Sequence, residues 1–140
     1  MRQILLFAAL AASLALLSGC ALSKTKADTA EDMSDKAAYQ KISAEEAYEM
    51  MASQEVVVVD VRTREEYDGG HIENAVLVPN ESIGSEIPEA LPDKEATLLV
   101  YCRSGRRSKD AAQKLLKLGY QSVYDFGGVI DWPYELVKEG

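Results

Sequence analysis

The chain of 140 residues has room for one globular domain and a short additional segment. Its formal net charge of −8 at pH 7 excludes the basic footprint that general nucleic-acid binding requires, and it favours solubility. The sequence contains no internal repeat and no low-complexity segment.

The N-terminal segment, residues 1–19, has the pattern of a secretory signal peptide. Arg2 precedes an apolar run over 4–17, and the small residues Ser18 and Gly19 follow it. The run is shorter than the about 20 residues that a transmembrane helix needs. A signal peptide is therefore predicted, and an uncleaved membrane anchor is the alternative.

The end of this segment, LSGC at 17–20, resembles the lipobox of bacterial lipoproteins. In that family the cysteine is acylated through its sulfur and becomes the first residue of the mature chain. The resemblance implies that Cys20 is a lipid anchor, since each buried lipid methylene contributes about 0.8 kcal/mol to membrane attachment. The expected location is extracytoplasmic, on a bacterial membrane that faces the periplasm or the outer cell surface.

The residues that follow, up to position 38, are polar and small, with alternating charges and no apolar period. This composition predicts that 20–38 form a flexible, lipidated tether, with a loosely formed helix as the alternative. The folded domain is predicted to occupy 39–140.

The first half of the domain alternates between strands and helices. A short strand in YQKI (39–42) precedes a helix in which Ser43 and Glu46 have the spacing of a capping box. The β-branched run at 56–59 predicts a strand that is buried on both faces, as in parallel sheets covered by helices. A short helix is predicted over 64–67.

The second half continues the alternation. The predicted elements are a strand at 75–78, a loop with one helical turn at 80–93, a strand in ATLLVYC (96–102), an amphipathic helix in SKDAAQKLLKLGY (108–120), a strand in QSVYDF (121–126) and a last helix that contains Trp132. The pattern predicts an α/β domain with a mostly parallel five-stranded sheet and helices on both faces. Ligands of such sheets bind at the carboxyl ends of the strands.

Cys102 ends one of these strands, and a loop with three arginines leads from it into a helix. Arg103, Arg106 and Arg107 carry fixed positive charge, and the helix N-terminus adds about half a positive charge. Gly105 permits the tight turn that wraps backbone N–H groups into an anion-binding nest.

These features favour an anionic sulfur, so we expect Cys102 to be largely thiolate and nucleophilic at neutral pH. The same loop can hold an oxyanion such as a thiosulfonate, phosphate or arsenate. The alternative interpretation is a buried core cysteine followed by a solvated helix start.

Three separated motifs resemble the single-domain rhodaneses, or thiosulfate sulfurtransferases. They are VVDVRTREEYDGGHIENAVLVP (58–79), LLVYCRSGRRS (98–108) and LGYQSVYDFGGVIDW (118–132). With the elements between them, they extend over most of the predicted domain in the order of the family. The resemblance implies a rhodanese-like three-layer fold for 39–140.

The resemblance also implies that Cys102 carries a sulfane sulfur as a persulfide. An anionic donor such as thiosulfate would supply the sulfur, and cyanide, a thiol or a protein would accept it. The residues expected to bind the sulfur and the anionic donor are Arg103, Ser104, Gly105, Arg106, Arg107 and Ser108. No metal or organic cofactor, no nucleic acid, and no membrane contact beyond the lipid anchor are expected.

Four residues outside the loop match positions that mainly hold the architecture of the site in that family. Asp60 and Arg62 stand in the motif DVR, and we expect Arg62 to pair with Glu66. His71, in GHIENA, is expected to be a hydrogen-bonded structural residue rather than a general base. Asn74 stands where many members have glycine, and asparagine also tolerates a left-handed backbone.

Two alternatives to a sulfurtransferase remain open. Cysteine-dependent phosphatases carry arginine at the sixth position after the cysteine, where this chain has Ser108. Arg107 stands one place earlier, so the loop is a residue too short for a phosphatase, and it favours sulfur transfer over phosphatase or arsenate reductase chemistry. The other alternative is a rhodanese-like module that carries sulfur or binds a partner without turnover.

Overall fold

The computed structural model describes residues 38–138. In chain order the elements are β1 Gln40–Lys41, α1 Ala44–Ser53, β2 Val57–Asp60, α2 Arg64–Asp68, β3 Val76–Leu77, a 3-10 helix Asn80–Ser82, β4 Thr97–Cys102, α3 Arg106–Lys117, β5 Ser122–Gly128 and a second 3-10 helix Val129–Asp131. The predicted signal peptide and Cys20 lie outside the described residues and stay predictions. No helix within 38–138 is long and apolar enough to cross a membrane.

The five strands form one parallel sheet in the order β1-β5-β4-β2-β3. This confirms the α/β class and the parallel five-stranded sheet. Because all strands run the same way, their carboxyl ends meet at one edge, where Cys102 lies opposite Gly128 of β5. The register between β4 and β5 shifts after Val100, a bulge of the kind that often lies next to active sites.

Helices cover both faces of the sheet, which confirms the predicted three layers. On one face, Ala111 and Leu115 of α3 pack against Val100 of β4. On the other face, Ala47 of α1 and Tyr67 of α2 belong to the cluster around the remaining β4 side chains. The central strand β4 is therefore buried on both sides, and each fully buried large apolar side chain contributes about 1.5–3 kcal/mol to folding.

Capping boxes fix where α1 and α2 begin. Ser43 and Glu46 form the predicted box, in which each side chain accepts from the other residue's backbone N–H group. Thr63 and Glu66 form a second box at the start of α2, which the sequence analysis missed. Each box satisfies N–H groups that a helix N-terminus leaves without partners.

The predicted last helix around Trp132 is wrong. Gly127 and Gly128 extend β5, and only a 3-10 helix follows before Trp132, whose backbone is extended. Pro133 explains the difference, because a proline disfavours helical geometry in the residue before it.

Candidate active site

Cys102 lies at the carboxyl end of the central strand, directly before the loop that enters α3. Its side chain is buried, with 1% of the residue exposed. The Gly105 N–H group donates to Cys102 Sγ at 3.0 Å, and Gly105 has a φ of 99°, which favours glycine. The loop therefore turns its backbone donors back onto the sulfur.

The balance of forces on the sulfur favours the thiolate. Burial by itself raises the pKa of the Cys102 thiol, but hydrogen bonds from the backbone of Ser108, the Ser108 side chain and the backbone of Gly105 and Ser104 outweigh it and lower the pKa below its usual value. The direction agrees with the sequence analysis. The hydrogen bonds that lower the pKa come from backbone groups and a hydroxyl group rather than from the arginines.

The three arginines of the loop do not act alike. Arg107 donates from Nη1 and Nη2 to the two carboxylate oxygens of Glu66, at 2.7 and 2.8 Å. This pair, helped by the Thr63 cap, lowers the pKa of Glu66 to about 2. Arg103 and Arg106 are exposed and make no ion pair within residues 38–138. These two side chains are therefore the ones with positive charge available to an incoming anion.

The expected pair between Arg62 and Glu66 is wrong. Arg62 instead donates to Asp60, with Nη2 at 2.6 Å from Oδ2, and to the Gly70 carbonyl at 2.8 Å. Arg62 is buried and needs a buried counter-charge, which Asp60 supplies, whereas Glu66 is held by Arg107 and by the cap of α2. Tyr101 completes this group by donating to Asp60 Oδ2 at 2.6 Å.

His71 lies buried beside α2 and makes contacts of a structural kind. Its Nδ1 atom is 2.9 Å from the Tyr67 carbonyl oxygen, and its ring stacks on the Tyr67 ring at 3.6 Å between centroids. The backbones of His71 and Val137 donate to and accept from each other, which holds the C-terminal segment against the domain. Asn74 has a φ of 61°, the left-handed conformation that the sequence analysis allowed for.

A buried aspartate below Cys102 was missed in the sequence analysis. Asp125 of β5 accepts from the Ser108 hydroxyl group at 2.7 Å and from the Gly127 N–H group at 2.9 Å. It also accepts from the Tyr39 hydroxyl group at 2.6 Å and lies 3.3 Å from Lys41 Nζ. The sequence signal was an acidic residue within the apolar segment VYDF, and this segment is followed by two glycines. We call Asp125, with its partners Ser108, Tyr39 and Lys41, the Asp125 side of the site.

Gly128 allows β5 to pass under the cysteine loop. A Cβ atom at this position would lie 2.2 Å from the Arg103 carbonyl oxygen, a contact that real Cβ atoms do not make. The backbone of Arg103 also accepts from the Ile130 N–H group at 3.2 Å. The loop conformation therefore depends on close backbone contact with the end of β5.

A cavity of about 340 Å³ lies beside the loop, with Arg103, Glu66 and Ile130 among its lining residues. A larger cavity of about 730 Å³ is lined by α1 and by residues around Trp132, and none of the loop residues line it. Within 38–138, no group of histidine, cysteine, aspartate or glutamate side chains is placed to hold a metal ion.

The model of the Rhodanese-like domain family matches residues 43–133, so the chain belongs to the rhodanese-like domain family. Among curated proteins it is 34% identical over 113 residues to the tRNA uridine(34) hydroxylase of Hamiltonella defensa, covering 76% of this chain and 32% of that protein. It is 31% identical over 104 residues to the same-named protein of Yersinia pestis, covering 71% and 29%. The chain thus spans about a third of the length of these relatives.

Solved structures give the same family. A rhodanese with anions from E. coli is 36% identical with a TM-score of 0.54, covering 59% of this chain and 98% of that chain. A human single-domain sulfurtransferase is 27% identical with a TM-score of 0.59, covering 66% and 93%. A rhodanese-like domain protein from Staphylococcus aureus is 30% identical with a TM-score of 0.62, covering 72% and 99%.

Proposed function

We propose that this chain is a sulfurtransferase that moves a sulfane sulfur from an anionic donor such as thiosulfate to a thiophilic acceptor through a persulfide on Cys102. The observation that carries the proposal is the cradle of backbone donors around a buried thiol, with the Gly105 N–H group 3.0 Å from Sγ. The lowered pKa of that thiol supplies the nucleophile.

The reaction is a double displacement. The Cys102 thiolate attacks the outer sulfur of thiosulfate, the S–S bond of the donor breaks, and sulfite leaves with the bonding electron pair. The cysteine then carries a persulfide, whose terminal sulfur is anionic and faces the same kind of N–H donors that favoured the thiolate. An acceptor such as cyanide or a thiol attacks the terminal sulfur, and the Cys102 thiolate leaves as it was. Neither step of this reaction requires a metal or an organic cofactor.

Arg103 and Arg106 attract the anionic donor in this proposal. Both are exposed beside the mouth of the cradle, and neither has a carboxylate partner in the described part of the chain. Arg107 acts differently, because its pair with Glu66 ties the start of α3 to α2. The cavity beside Arg103 gives a donor or acceptor room to approach.

The tRNA hydroxylation named for the curated relatives is not proposed for this chain. The chain spans 32% of the Hamiltonella protein, so the activity in that protein's name is not carried over to this chain. The net charge of −8 also gives no basic footprint for tRNA.

We also propose that Cys20 is lipidated and holds the domain at an extracytoplasmic membrane surface. The lipobox-like LSGC after an apolar segment supports this. Metabolic labelling of expressing bacteria with a radioactive fatty acid tests it: the chain incorporates label, and Cys20→Ser abolishes the incorporation. Equal label in both forms contradicts the proposal.

The test of the sulfurtransferase proposal is the formation of thiocyanate from thiosulfate and cyanide. The wild-type chain is expected to turn over, and Cys102→Ser is expected to lose the activity completely. An aryl phosphate is assayed in parallel. Phosphate release without thiocyanate formation contradicts sulfur transfer and supports the phosphatase alternative.

A further inference from the structure

The Ser108 hydroxyl group has one proton and several acceptors around it. It is fully buried, and its oxygen lies 2.7 Å from Asp125 Oδ1, 3.1 Å from the Gly105 carbonyl and 3.2 Å from the Gly127 carbonyl. The bond to Asp125 is the shortest, and bonds to a carboxylate are the stronger kind. The resting proton of Ser108 therefore points to Asp125.

The same oxygen lies 3.7 Å from Cys102 Sγ. While the thiol is protonated, its S–H group donates to Ser108, whose own proton stays on the Asp125 side. When the thiol ionises, the anionic sulfur needs donors, and the Ser108 hydroxyl group can serve it only by turning its proton away from Asp125. A hydroxyl group can rotate in this way because it donates once and accepts at two lone pairs.

We propose that Asp125 competes with the Cys102 sulfur for the single proton of the Ser108 hydroxyl group and thereby sets how readily the thiol ionises. Asp125 is a positioning residue that acts through Ser108. This inference rests on the proposed function in one respect, because ionisation of Cys102 matters for catalysis only if the thiolate attacks a sulfur donor.

Two residues at the start of the domain also contact Asp125: Tyr39, directly before β1, and Lys41 of β1. Tyr39 donates to the second oxygen of Asp125, and Lys41, half exposed, lies beside the same oxygen. Both partners withdraw electron density from the carboxylate and weaken its hold on Ser108. Arg107 of α3 also interacts electrostatically with the Cys102 sulfur, and its guanidinium group is paired with Glu66 of α2.

The test measures the alkylation rate of Cys102 by iodoacetamide as a function of pH, since the thiolate is the form that reacts. The full-length chain is used, and the peptide that contains Cys102 is quantified by mass spectrometry, which separates it from Cys20. The midpoint of the rate curve reports the ionisation of Cys102 without any sulfur donor.

Asp125→Asn keeps an oxygen that accepts from Ser108 and Gly127 but removes the charge. We expect the midpoint to fall by about 0.5 to 1 pH unit, because Ser108 donates to the anionic sulfur more readily when its other acceptor is an uncharged amide. Asp93→Asn is the charge-matched control, since it removes an exposed carboxylate before β4, at the other end of the strand from Cys102, and its curve should match that of the wild type. An unchanged or higher midpoint in Asp125→Asn overturns the proposal.

Ser108→Ala removes the shared proton and should raise the midpoint by a similar amount. In that background, Asp125→Asn should have no further effect. If it lowers the midpoint there as much as in the wild type, the carboxylate acts on the sulfur directly through space, and the proposed competition is wrong.

Tyr39→Phe keeps the inference testable if Asp125→Asn fails to fold. It removes one hydroxyl group from a half-buried ring, strengthens the hold of Asp125 on Ser108, and should raise the midpoint. A fall or no change contradicts the proposal. These alkylation curves do not depend on sulfur transfer. If the midpoints shift as expected but no thiocyanate forms, the proposed function is wrong and the competition for the Ser108 proton is supported.

Discussion

Two buried aspartates flank the central strand at the edge of the sheet that carries Cys102, and they are satisfied in different ways. Asp60 on β2 is bound by Arg62, whose side chain is 6% exposed, and by the Tyr101 hydroxyl group. Asp125 on β5 is bound by two hydroxyl groups and a backbone N–H group, and its lysine is 51% exposed.

The two groups differ in how freely their hydrogen bonds can change. A buried guanidinium–carboxylate pair has one geometry and fixes the connection between β2 and α2. Hydroxyl groups can rotate and redirect a proton, so the Asp125 side can respond when the charge on the sulfur changes. One side is expected to matter most for stability, and the other for the reactivity of the thiol.

The largest expected effect comes from removing the cation that pairs with Asp60. Arg62→Ala leaves Asp60 buried without its cation and should lower the free energy of unfolding by about 3–5 kcal/mol. Denaturant unfolding followed by circular dichroism measures it. Arg64→Ala, which removes a cation from an exposed pair, is the control and should change the free energy by less than about 1 kcal/mol. A small loss for Arg62→Ala would contradict a structural role for this pair.

A second change disturbs the backbone contact on the Asp125 side. Gly128→Ala places a Cβ atom 2.2 Å from the Arg103 carbonyl oxygen, so the loop has to move. Overpacking of this kind costs about 1–3 kcal/mol of stability, and we expect the Cys102 alkylation midpoint to rise because the cradle opens. Gly84→Ala is the matched control, since a Cβ atom there meets open space. Equal behaviour of the two variants would show that the close contact is unimportant.

The pair between Glu66 and Arg107 is expected to have a smaller, pH-dependent effect. The pKa of Glu66 is lowered from 4.5 to about 2, chiefly by Arg107, so the folded state favours the charged form. A shift of this size corresponds to at most about 3 kcal/mol, and solvent screening of the partly exposed pair reduces its contribution to about 2 kcal/mol. This contribution is complete above about pH 4.5 and disappears as the pH falls toward 2.

Unfolding curves of the wild type and Glu66→Gln between pH 2 and 7 check this. The wild type should be more stable at pH 7, and the difference should shrink only below about pH 4.5. A difference that stays constant down to pH 2 would mean that the carboxylate charge is not the cause. Glu49→Gln, at an exposed position of α1, is the control for helix propensity.

The smallest expected effect is that of Lys41 on the Asp125 side. Lys41→Ala removes a half-exposed cation, so stability should change by less than about 1 kcal/mol. The Cys102 alkylation midpoint should nevertheless rise slightly, because Asp125 then holds the Ser108 proton more firmly. A stability loss as large as that of Arg62→Ala would remove the proposed contrast between the two aspartates.

Much of the fold could be predicted from local patterns. The β-branched run of β2 and the apolar run of β4 have the length and composition of buried strands, and α3 has the apolar period of a helix. The Ser43 capping box was also predicted correctly. The helix around Trp132 was not, because the effect of Pro133 on the preceding residue outweighed the composition of the segment.

The site was less predictable, because its contacts join distant parts of the chain. Glu66 stands near Arg62 in sequence, but α3 brings Arg107 to it from 41 residues away. Tyr39 reaches Asp125 across 86 residues, and no spacing rule connects β1 to the end of β5. The loop composition predicted backbone donors around the Cys102 sulfur, as the structure has them, whereas the buried polar groups around Asp125 depend on tertiary packing.

Mass spectrometry of the chain after treatment with thiosulfate shows whether the buried thiol of Cys102 carries sulfur. We predict a mass increase of one sulfur atom, located on the Cys102 peptide, removed by cyanide, and absent in Cys102→Ser. A persulfide that forms but gives no thiocyanate turnover would indicate a sulfur carrier. No added sulfur on Cys102 in a folded chain would contradict sulfur transfer through this residue.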